Sequence, residues 1–172
     1  LASGIVNTSY QVGSAIGLAA ITALSVAYGA DRVGDPAALT EGFRAGFLGL
    51  LALAVVWITN LYNFMDGADG VAGGMTVIGF STYAAAALLA GQEPLAVACG
   101  AIAAAAAAFL VHNFHPARLF LGDAGSIPLG FLAAALGIVG WRNAAWPLWF
   151  PLLVFGPFIA AATVTLGKRL AR

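Results

Sequence analysis

A chain of 172 residues that is 62% hydrophobic and only 8% charged, with a mean hydropathy of +0.96, is too poor in charge for an ordinary water-soluble domain, where roughly a quarter of residues are charged. That composition belongs in a bilayer. A formal net charge of zero argues against a nucleic-acid partner, which would demand a basic surface. One cysteine, Cys99, can build neither a disulfide framework nor a cysteine-based metal site.

A spanning helix needs about 20 mostly apolar residues. Six stretches are candidates, the fifth short and in need of help from its flanks, giving an all-α, polytopic bundle: residues 3–28, 43–59, 71–90, 95–111, 127–140 and 146–166. The first carries Ser3, Asn7, Thr8, Ser9 and Gln11, polar groups expected to face other helices or water, with Gly13 and Gly17 at a spacing that lets backbones approach. It has no basic leader segment and no initiator Met, so the chain reads as a piece of something longer. Residues 31–41, containing Gly34, Asp35 and Pro36, are expected to form a solvated turn.

After the second span comes a polar island, residues 60–74, reading Asn60-Leu-Tyr-Asn63-Phe-Met-Asp66-Gly-Ala-Asp69-Gly70. Asp66 and Asp69 are three apart, so a helical or turn backbone brings both carboxylates to one side. Buried carboxylates at the bilayer centre cost about 2.5–3.5 kcal/mol each on insertion scales, so these belong at an interface or in a wet cavity. The third span leads to the turn at Gly91-Gln-Glu-Pro94, and the fourth, with its alanine run 103–108, returns to a second island at 113–126. Two crossings put both islands on the same side.

The second island holds Asn113, His115, Arg118 and Phe120-Leu-Gly-Asp123-Ala-Gly-Ser126. With Pro128 suited to an early helical position, residues 123–126 are expected at a helix N-terminus, a natural seat for phosphate. Trp141 and Trp146 suit an interfacial belt, and Lys168, Arg169 and Arg172 close the chain. The island side carries four basic residues (Arg118, Lys168, Arg169, Arg172) against three (Arg32, Arg44, Arg142), which orients the islands toward the cytoplasm.

Carboxylates and amides without cysteine favour a hard cation with oxygen ligands, and Mg²⁺ is the usual companion of phosphates. A calcium loop starting at Asp66 would need Glu at its twelfth position, which is Val77. His112 and His115 suit plain hydrogen bonds better than metal ligation. A bland alternative remains, that the three Asp residues form a polar cluster satisfied between helices.

Residues 1–48, on Asn7-Thr-Ser-Tyr-Gln-Val-Gly-Ser-Ala-Ile-Gly17 and Leu39-Thr-Glu-Gly-Phe-Arg-Ala-Gly-Phe47, resemble the penultimate helix and last loop of fourteen-helix drug:proton antiporters of the major facilitator superfamily. Residues 49–172 then form a second domain, with a seam between Arg44 and Val56. There the patterns Asn60-x-x-Asn63-x-x-Asp66-Gly-x-Asp69-Gly70 and Phe120-x-Gly-Asp123-x-Gly-Ser126 resemble the two signature loops of glycosyltransferase family 4, the polyprenyl-phosphate N-acetylhexosamine-1-phosphate transferases, in particular those acting with GlcNAc-1-phosphate on undecaprenyl phosphate.

That resemblance implies a bacterial inner-membrane enzyme of cell-envelope polysaccharide synthesis, with the loops in the cytoplasm. An oxygen of the lipid phosphate would attack the β-phosphorus of a UDP-sugar and release UMP, with Mg²⁺ as cofactor. It implies Asn63 and Asp123 as Mg²⁺ ligands, Asp66, Asp69 and Asp123 as catalytic residues, and Asn60, Asn63, Asp69, Asn113, His115, Arg118, Gly125 and Ser126 as substrate contacts. Partners would be the UDP-sugar, polyprenyl phosphate and the bilayer, with a homodimer left open and no nucleic acid. The family's earlier acidic pair is not matched before Trp57, and its later histidine loop would begin where Lys168-Arg-Leu-Ala-Arg172 stands, so this polypeptide alone is expected to be inactive. Two other readings stand beside it: a truncated drug antiporter, and a non-catalytic scaffold packed through Gly and Ala faces.

Overall fold

A computed structural model describes residues 17–170; the antiporter-like residues before Gly17 lie outside them. In chain order the elements are α1 (Gly17–Ala27), α2 (Pro36–Met65), α3 (Val71–Leu89), α4 (Glu93–Asn113), α5 (Gly122–Arg142), α6 (Phe150–Val154) and α7 (Gly156–Leu170). The described residues are thus all-α, and α2 to α5 are each long and apolar enough to cross a bilayer. The polytopic helical architecture is as expected, but the sixth stretch is two helices: Phe155 separates them, and Gly156 and Pro157 open the second, where Pro, lacking the N–H that would continue a helix, suits the first turn.

The described residues divide into two compact units, one containing residues 17–54 and 164–170, the other Val55–Thr163. In the first, α1 and the start of α2 are joined by a turn. Here α2 begins at Pro36, seven residues earlier than the hydropathy of 43–59 suggests. Asp35 Oδ1 accepts from the amides of Ala37 (3.0 Å) and Ala38 (3.2 Å), a side-chain cap with proline at the first helical position.

The second unit is built on an antiparallel α3–α4 hairpin turned at residues 90–92, with α5 and the end of α2 against it. Its centre is aromatic. Tyr62, Phe80, Tyr83 and Phe155 are fully buried; Tyr83 stacks on Trp146 at 4.9 Å and meets Phe155 edge-on at 5.5 Å. Their polar tips are satisfied: Tyr83 Oη donates to the Ala133 carbonyl (3.2 Å) and Trp146 Nε1 to that of Gly137 (2.9 Å), as buried Tyr and Trp require.

Gly130 lets α5 lie directly on α2, for a Cβ there would stand 2.6 Å from Thr59 Cα and 3.0 Å from the Ile58 carbonyl oxygen. In the alanine run of α4 only Ala103 and Ala106 are buried. One stripe packs and the rest of the run faces outward, because helical residues three apart share a face.

Candidate active site

The last turns of α2 carry the first polar residues. Asn60 and Asn63 sit on the helix itself rather than in a loop, both exposed, and Asn60 lines a groove of about 620 Å³ between α2 and α5, with Thr59, Ile127 and Phe131. Beyond Met65 the chain turns through residues 66–70 and enters α3 at Gly70, whose φ of +71° is left-handed, a conformation glycine adopts without a steric penalty.

Three side chains tie this turn to the second island. Asp66, 6% exposed, accepts the Leu121 amide at Oδ1 (3.0 Å) and the Gly122 amide at Oδ2 (2.8 Å). These are the opening amides of α5, which have no partner within the helix, and negative charge is favoured at such an end. Asp69 Oδ2 accepts the Ala117 amide (3.1 Å) and lies 2.9 Å from His115 Nδ1, so Nδ1 carries the proton when Asp69 is ionised. In the other direction Asn113, buried at the end of α4, accepts the Gly70 amide at Oδ1 (3.1 Å) and donates from Nδ2 to the Leu119 carbonyl (2.9 Å).

The two islands therefore converge. Electrostatically, Asp69 is held below the ordinary aspartate value, first by the Ala117 amide and then by the His115 hydrogen bond, since donors to the charged form favour it.

The helix of the second island starts at Gly122, four residues before Ser126. Asp123 thus stands in the first turn of α5 and is exposed, whereas Ser126 is fully buried one turn further on, its hydroxyl donating to the Gly122 carbonyl (3.0 Å). Gly125 is half-buried against Leu121. Arg118 and His115 are exposed on the connecting loop. The structure makes Asp66, Asn113 and the Asp69–His115 pair three separate ties between the two islands, and leaves Asn63 and Asp123 exposed.

What residue types alone could not reveal is the backbone: the amides of Gly70, Ala117, Leu121 and Gly122 are the partners. One signal was available, a glycine at position 122, whose φ is +61°. Among the described residues no three His, Cys, Asp or Glu side chains cluster closely enough to hold a metal. A cation here would draw on one carboxylate and an amide oxygen. That donor set fits Mg²⁺, which keeps several waters and shares its shell with substrate phosphates.

Comparison with known proteins decides the lineage. Glycosyl transferase family 4 matches residues 6–141. The chain belongs to this family. A "Probable undecaprenyl-phosphate N-acetylglucosaminyl 1-phosphate transferase" of Bacillus subtilis is 33% identical over 97% of the chain and 49% of its own length. A "Phospho-N-acetylmuramoyl-pentapeptide-transferase" of Symbiobacterium thermophilum is 47% identical over 52% of the chain and 28% of its own length; its counterpart in Rubrobacter xylanophilus is 42% identical over 52% and 27%.

The chain thus spans about half the length of the Bacillus relative and about a quarter of the other two. No solved structure matches it. The family 4 match begins at residue 6 and the Bacillus relative aligns with 97% of the chain, so the family likeness noted for residues 50–172 extends into the stretch that resembles the antiporters.

Proposed function

We propose that this family 4 chain is the core of a membrane transferase that moves N-acetylhexosamine 1-phosphate, in particular GlcNAc 1-phosphate, from a UDP-sugar to undecaprenyl phosphate at the cytoplasmic face of a bacterial inner membrane. The observation that carries it is the lacing of the two islands through Asp66, Asp69 and Asn113, with Asn63 and Asp123 left exposed beside it. GlcNAc is preferred over a MurNAc-pentapeptide because the Bacillus relative aligns with 97% of the chain and the pentapeptide transferases quoted with 52%.

In the reaction, an oxygen of the lipid phosphate bonds to the β-phosphorus of the UDP-sugar. The bond from that phosphorus to the bridging oxygen breaks, and UMP departs with the electron pair. Bound Mg²⁺ would supply charge neutralisation and orientation of the diphosphate. Asn63 and Asp123 would hold it by amide and carboxylate oxygens. Asp69, ionised and steadied by Ala117 and His115, offers acceptors to the nucleotide end, and His115 and Arg118 stand at the loop surface where anionic phosphates would arrive.

The test is conversion of radiolabelled UDP-GlcNAc and undecaprenyl phosphate to a lipid-linked product plus UMP, by protein expressed from its complete reading frame. The expected result is Mg²⁺-dependent product formation that falls at least ~100-fold in Asp123→Asn, on the scale of lost transition-state charge stabilisation. Product from UDP-MurNAc-pentapeptide alone would overturn the sugar assignment, and no product from either donor would overturn the reaction.

A further inference from the structure

We infer that Asp66 is a positioning residue. Its carboxylate seals the N-terminus of α5 and so sets where Asp123 stands, without itself meeting metal or substrate. The inference rests on the proposed transferase reading only for what Asp123 does. Asp66 is 6% exposed and each of its oxygens receives a backbone amide, from Leu121 and Gly122, whereas Asn63 and Asp123 are exposed.

The anchoring runs back into the core. The Asp66 amide donates to the Tyr62 carbonyl (3.1 Å), continuing the helical path of α2, and Tyr62 is fully buried with its ring 4.9 Å from that of Phe158. A rigid core position is thereby passed through one side chain to Gly122 and, one residue on, to Asp123. Misplacement of a reacting group by about 1 Å can cost ~100-fold in rate, so such a link matters to the chemistry. A second consequence follows for substrate binding: the two amides are already occupied, so the diphosphate is met by other groups.

Site-resolved amide exchange and Mn²⁺ binding, measured on the full chain in detergent micelles, test this. In the wild type the Leu121 and Gly122 amides should exchange at least ~10-fold more slowly than those of Asp123 and Ala124 in the same first turn, the protection that hydrogen bonds to a carboxylate confer. Asp66→Asn presents only one acceptor oxygen. It should speed exchange at Leu121 or Gly122 ~10-fold, leave the centre of α3 protected, and weaken Mn²⁺ binding several-fold while keeping one ion per chain.

Asp123→Asn should do the reverse, removing Mn²⁺ binding with exchange at Leu121 and Gly122 unmoved. Fast exchange at Leu121 and Gly122 in the wild type would overturn the inference even if every variant misfolded. So would Asp66→Asn abolishing Mn²⁺ binding with exchange unchanged, which would make Asp66 a direct ligand. A wild type that protects these amides but binds no Mn²⁺ would count against the transferase reading and leave the clamp standing.

Discussion

Asp69 is fastened by two donors from across the site, the Ala117 amide and His115 Nδ1, and both stabilise its ionised form. Its folded value is therefore depressed below the ordinary 3.8. A depressed carboxylate contributes stability that is present above the unfolded value and lost as pH falls through the folded one. The tie between the loops should accordingly persist at neutral pH and release only below 3.8, read as loss of protection at the Ala117 amide. Asp69→Asn should remove that pH dependence, and persistence of the same transition in the variant would contradict the assignment. The identities and spacing of Asp66 and Asp69 single both out in the sequence. Their opposite fates did not follow from spacing, because what distinguishes a buried clamp from an exposed acceptor is which distant amide each carboxylate meets.

At the level of helices, hydropathy locates the four long spans and places α3 and α4 to within two residues at each end, but cuts α2 and α5 short. For α2 the start carries a local signal, the Asp35-Pro36 cap, which the polarity of residues 31–41 outweighs in a hydropathy reading. Its end was overrun by the polar Asn60 and Asn63, which stay helical because no glycine or proline stands between Phe47 and Met65 other than Gly49. The start of α5 is legible locally, since residues 123–126 are expected at a helix N-terminus and the helix opens at Gly122, but the partner of its opening amides is not, being a residue 55 positions earlier. The crossing of α2 and α5 yields a test. Gly130→Ala would push a methyl into Thr59 backbone and should destabilise the protein by about 1–3 kcal/mol, whereas Gly100→Ala, with nothing within 4 Å, should leave thermal unfolding in detergent unchanged or slightly raised. Equal effects at the two positions would mean that the helices do not touch at Gly130.

Across the molecule, the helices expose large apolar side chains such as Leu53, Trp57, Ile78, Val97 and Phe131, which bilayer lipid would cover. The alternation of α3, α4 and α5 places residues 66–70 and 114–121 at one end, bound to each other, and the turns after α3 and α5 at the other, where Gln92 Nε2 donates to the Asn143 carbonyl (3.4 Å). Single cysteines at Ala68 and Arg118 should thus react with an impermeant maleimide from one side of a vesicle, and cysteines at Gln92 and Asn143 from the opposite side. Cys99, fully buried, gives a quiet background. Labelling of Ala68 and Arg118 positions from different sides would break the topology. This shared face was readable from counting crossings.

The long reach from Asp66 to Gly122, 56 positions, also has a consequence for biogenesis. While a ribosome is still threading α4 into the membrane, Asp66 has no amide to hold, and the first turn remains an unclosed carboxylate at the bilayer edge. The pocket is completed only when the start of α5 emerges, so it is assembled last-to-first, by a late segment returning to close an early one.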